Sequence, residues 1–104
     1  MKKYTEDFTS ISLDEQDKIT AAVNILNCEP VMMCRLSNHP DDKHLFVVIG
    51  QYIKPHSVFG KAYCVWTANT SRQSPEADLY FGNYGVSLKA ALQIMQDKIR
   101  DLNE

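Results

Sequence analysis

KHLFVVIGQYI, Lys43 to Ile53, is the longest strand-like run in the chain, and how its side chains divide decides the fold. Successive side chains of a strand point to opposite faces. Leu45, Val47, Ile49 and Ile53 therefore point one way, and His44, Phe46, Val48 and Tyr52 the other. The aliphatic set suits packing against helices, which leaves an aromatic-bearing set on the far side.

Three more strand-like segments surround this one. VMMCRLS runs from Val31 and closes with the turn-rich NHPDD. KAYCVWTA spans Lys61 to Ala68 and leads into the polar NTSRQSPEA, and DLYFGNYGV follows. All are rich in β-branched and aromatic residues, with proline or turn residues between them. The connections are too short to hold helices, so an antiparallel meander is the simplest pairing.

A helix flanks the strands at each end. In SLDEQDKITAAVNIL, Ser12 and Glu15 form a capping box, and Asp14, Glu15 and Asp17 suit the dipole of the first turns. Ile19, Ala22, Val23 and Leu26 share one face, and Pro30 marks the end. The closing helix starts at Ser87 with Leu88, Ala91, Leu92, Met95, Ile99 and Leu102 as its apolar stripe, while Asp97 and Arg100 pair on the wet side. The order α-β-β-β-β-α predicts an α+β two-layer sandwich: a four-stranded antiparallel meander with both helices on one face. Residues 1–104 form a single domain, with 1–11 a polar lead-in.

Extending the alternation puts Met32, Cys34, Leu36, Cys64, Trp66, Leu79 and Phe81 inside, and Met33, Arg35, Phe46, Val48, Tyr52, Tyr63, Val65, Tyr80 and Tyr84 on the opposite face. A solvated antiparallel face should be polar. Tyrosine, methionine and arginine are instead the residues enriched where proteins meet. Arg35, Phe46, Tyr52, Tyr63, Tyr80 and Tyr84 are thus the expected interface. Two plainer readings compete. The lead-in, with Tyr4, Phe8 and Ile11, folds back over that face, or a monomer simply tolerates it.

Bulk composition narrows the function classes. With 44% apolar and 23% charged residues and a net charge of −2, the chain is neither a strongly basic polyanion binder nor a heavily acidic decoy. A chain of 104 residues buries roughly two thirds of its unfolded surface, enough for a core without metal or disulfide staples. Glu6 and Asp7 stand where a signal peptide needs an apolar stretch, and LFVVI falls far short of the ~20 apolar residues of a membrane span. A cytoplasmic protein with no membrane contact is expected. Cys28, Cys34 and Cys64 are an odd number without a CxxC pair, as in free thiols of a reducing compartment.

The chemical motifs are weak. Gly82 and Gly85 precede a helix, as a phosphate loop would, but there is no GxGxxG or Gly-Lys-Ser/Thr. A strand glycine more often marks a bulge or bend. His39, Asp41, Asp42 and His44, with Cys34, match no common zinc spacing, and NHPDD reads as a turn. Cys34 and Cys64 alternate into the core and Cys28 is the more exposed thiol, yet no base is placed to activate it. No catalytic residue, metal or cofactor is expected. An aromatic face could stack single-stranded bases, but the basic footprint is slight and the signatures of RNA-binding sheets are missing.

YFGNYGVSLKAALQIMQDKI, from Tyr80 to Ile99, resembles the tail of small accessory proteins encoded by phages and mobile elements, among them anti-CRISPR and other anti-defence inhibitors. That resemblance implies a compact, cofactor-free protein that covers a partner's surface. The expected function is a non-enzymatic protein-binding module, with a host nuclease or defence protein, or a second copy of the chain, as partner. The alternative is a single-stranded nucleic-acid or small-ligand binder that uses the aromatic face.

Overall fold

The structure, a computed structural model, describes residues 11–36, 44–53 and 62–103. Helix α1 (Leu13–Ile25) comes first, then strands β1 (Cys28–Arg35), β2 (Leu45–Tyr52), β3 (Tyr63–Asn69) and β4 (Asp78–Val86), and finally helix α2 (Leu88–Asn103). The four strands form one antiparallel sheet in the order β1-β2-β3-β4, the expected α+β meander. No helix among the described residues is long and apolar enough to cross a membrane.

Local chemistry sets the ends of α1. The Glu15 amide donates to Ser12 Oγ at 3.2 Å and the Ser12 amide donates to Glu15 Oε1 at 3.2 Å, which closes the capping box. Asn27 stops the helix, not Pro30. It takes the left-handed conformation at φ 63, which Asn tolerates better than most residues, and its amide bonds Asn24 O at 3.0 Å. Pro30 instead lies inside β1, an edge strand, beside a register shift between Pro30 and Met32.

The layering differs from the expectation of both helices on one face. Ile19, Ala22 and Val23 of α1 pack with Phe46, Val48, Cys64, Trp66 and Ala68. Ala91 and Met95 of α2 pack with Cys34, Val47, Ile49 and Val65. Neighbouring residues of β2 and β3 thus belong to different clusters, so the helices cover opposite faces of the sheet. The inner set expected from simple alternation mixes the two faces. The register pairs Val48 with Trp66 and Gly50 with Cys64, which puts Cys64 and Trp66 on the α1 side, away from Val47 and Ile49. Ile53 is 56% exposed and belongs to neither layer.

Strand β4 departs further from simple alternation. Between the pairs Thr67–Tyr80 and Val65–Asn83, and again between Val65–Asn83 and Tyr63–Val86, β4 uses one more residue than β3. Each is a β-bulge. Phe81 and Gly85 accommodate them with positive φ values of 54 and 65. A bulge shifts the parity of everything beyond it, so Phe81, expected inside, is 77% exposed.

One glycine is needed for α1 to close on the sheet. A Cβ added at Gly50 would lie 2.7 Å from Trp66 Cζ3 and 3.3 Å from Val23 Cγ1. Gly50→Ala is expected to lower the unfolding free energy by about 1–3 kcal/mol through overpacking, read as a shifted midpoint in urea denaturation.

Candidate interaction site

The six residues expected at an interface do not share a surface. Phe46 is fully buried beneath α1. Arg35 is turned inward: its Nη2 lies 3.2 Å from Glu15 Oε1, and its guanidinium stacks 4.9 Å from the centre of the Phe46 ring. Partial burial pushes the Glu15 carboxyl up, but the Ser12 backbone amide and Arg35 outweigh it and hold it below its ordinary value. Arg35 thus ties α1 to the sheet. Tyr52 packs with the α1-side cluster and Tyr63 with the α2-side cluster. The aromatic sheet face proposed as a docking surface is therefore covered, because α1 occupies it. Tyr80 and Tyr84, at 42% and 58% exposure, remain accessible on the edge strand β4.

Tyr84 has a structural duty as well. Its hydroxyl accepts the Trp66 Nε1–H at 3.0 Å, and the rings meet edge to face at 5.9 Å and 72°. Gly82 leaves room for it, since a Cβ there would come within 2.5 Å of the Tyr84 hydroxyl oxygen. The ring covers the bare edge and satisfies a buried indole N–H, while its outer side stays in solvent.

On the α2 side, Tyr80 and Phe81 stand next to each other, with ring centres 6.2 Å apart and tilted by 47°. Lys98 of α2 reaches toward them. Its Nζ lies 5.6 Å from the Phe81 ring centre and 3.4 Å from Thr67 Oγ1. Burial holds the Lys98 ammonium below the ordinary lysine value. Leu36, Leu45, Thr67, Asn69, Tyr80, Phe81 and Lys98 line an open groove of about 660 Å³. Sequence reasoning did not single out Lys98 and placed Phe81 in the core. Two signals pointed to them. Lys98 stands seven residues after Ala91, at a position that continues the buried stripe, and Gly82 in mid-strand is a bulge marker.

The glycine motif has a structural role. Gly82 and Gly85 belong to the bulged end of β4, and Ser87 Oγ caps α2 by accepting the Ala90 amide at 3.1 Å. Among the described residues no three His, Cys, Asp or Glu side chains come together as a metal site. His39, Asp41 and Asp42 lie outside the described residues. None of the three cysteines is in a disulfide and all are buried, including Cys28, expected to be the exposed one. Burial and the adjacent Cys64 push the Cys28 thiol up to about 12. A hydrogen bond with Cys64, then burial, pushes the Tyr52 hydroxyl up to about 12. A reactive thiolate needs the opposite shift. Compared with protein-family models, curated proteins and solved structures, the chain matches none.

Tyr84→Phe strands the buried Trp66 N–H and is expected to cost about 1–3 kcal/mol in chemical denaturation. The raised groups set the alkaline limit, because the folded chain holds protons that the unfolded chain releases from 9.0 for Cys28 and 10.0 for Tyr52. Their stabilisation is complete below pH 9 and is lost as pH climbs toward about 12. Lys98, shifted the other way and by less, opposes that fall only in part. Unfolding free energy measured against pH should thus drop above pH 9, and Cys28→Ala should delay the onset.

Proposed function

We propose that this chain is a small non-enzymatic binding module that engages another protein through the outer side of β4, where Tyr80, Phe81 and Tyr84 are exposed. The observation that carries the reading is Phe81. A phenylalanine in the left-handed region is strained by about 1–2 kcal/mol, and here the strain holds a large apolar ring out in water at 77% exposure. Strain that displays an aromatic side chain beside the exposed Tyr80 is hard to account for as packing and suits a recognition surface. The RNA-like platform and the ligand-binding sheet face lose part of their support, since Phe46 and Tyr52 pack into the α1-side cluster.

The specific version rests on the resemblance of Tyr80–Ile99 to phage and mobile-element accessory proteins: the partner is a host nuclease or defence protein, and binding inhibits it. A homodimer through the same edge is the competing occupant.

Affinity capture from the native host, with wild-type chain and a Tyr80→Ala/Phe81→Ala variant as parallel baits, tests the reading. A protein captured by the wild type, lost from the folded variant and rebound in purified form is the expected outcome. Equal capture by both baits overturns the assignment to β4. A wild-type chain that scatters light at twice its monomer mass, against a monomeric variant, assigns the edge to self-association instead.

A further inference from the structure

We infer that the groove between the sheet and α2 recognises an acidic segment of the partner, with an aspartate or glutamate carboxylate at Lys98 Nζ and Thr67 Oγ1 and an adjoining apolar side chain across Leu36, Leu45 and the Phe81 ring. This deepens the partner-binding reading above and rests on it.

Charge sets Lys98 apart. Arg35, Arg72 and Arg100 are each paired with a carboxylate, from Glu15, Asp78 and Asp97 respectively. Lys18 donates to the carbonyl oxygens of Thr70 and Arg72. Lys98 is different: its ammonium meets one hydroxyl and one ring face, and no carboxylate among the described residues lies in salt-bridge reach. Partial burial has removed some of its water, which is why its proton is held less firmly than usual. A cation left short of solvent beside an apolar floor gains more from an incoming anion than a fully hydrated lysine does.

The rest of the lining fixes what carries that anion. Leu36 and Leu45 are apolar, Tyr80 and Phe81 supply ring surface, and among the described residues Lys98 is the one cation in the lining. A nucleic-acid strand needs a row of cations to track its phosphates, and the chain's net charge of −2 provides no such row. A small ligand is held by burying most of its surface, which an open trough does not achieve. A peptide segment with one acid beside one apolar anchor matches one cation beside one apolar floor. The strained Phe81 backbone then has a purpose, since it sets the ring at the correct rim.

Random peptides displayed on phage, selected on the intact wild-type chain, provide the test. Enriched sequences should carry Asp or Glu next to an aromatic or aliphatic residue. A synthetic peptide of the enriched sequence should bind Lys98→Gln at least about tenfold more weakly than wild type, while Lys98→Arg restores most of the affinity. Thermal melts of both variants establish that they are folded. Enriched peptides without acids, or peptides that bind Lys98→Gln as tightly as wild type, overturn the inference. A fluorescent single-stranded oligonucleotide that binds the wild type and not Lys98→Gln also overturns it, by assigning the groove to phosphate. The two readings fail separately: a captured partner lost with Tyr80→Ala/Phe81→Ala but kept by Lys98→Gln sinks only the acidic-segment inference, and one kept by both variants sinks both.

Discussion

The central strands are apolar on both sides, and this constraint governs the whole architecture. Phe46 to Gly50 of β2 are all buried, as are Cys64 to Trp66 of β3. Each large apolar side chain left in water would forfeit roughly 1.5–3 kcal/mol, so neither face can stay open. With two helices and two apolar faces, one helix goes to each. The Arg35–Glu15 pair and the cation of Arg35 over Phe46 then hold α1 in place where its own apolar stripe is short.

Much of this was readable from the residues. The capping box, the order of elements and the antiparallel meander follow from Ser12 and Glu15, from hydrophobic period and from connection length. The layering was misread because alternation alone ranked Phe46 and Tyr52 as an outer set. The LFVVI run was the better guide, since an unbroken apolar stretch marks a strand covered on both sides. Cross-strand register was the second obstacle. Nothing local states that Trp66 faces Val48 and not Val47, yet that single pairing assigns the indole to α1. In β4, two inserted residues break the period-two pattern, so Phe81 was assigned to the wrong environment.

Covering both faces moves the available surface to the margins. Edge strands invite unwanted pairing, and bulges are one way to blunt them. The bulges of β4 interrupt its ladder with β3 and at the same time re-aim Phe81 and Tyr84. One device therefore serves two ends: it interrupts the edge and shapes what the edge displays. Tyr84 shows how closely the two are joined, with one side of the ring sealing Trp66 and the other facing solvent.

Lys18 has a consequence for how the chain is made. Its ammonium joins α1 to carbonyl groups 52 and 54 residues further along, and its own carbonyl accepts the Ala77 amide at 2.9 Å. Helix α1 is therefore completed by a loop that emerges from the ribosome much later. Vectorial synthesis leaves the cover over α1 incomplete until β3, with Cys64, Trp66 and Ala68, and the loop after it have cleared the exit tunnel.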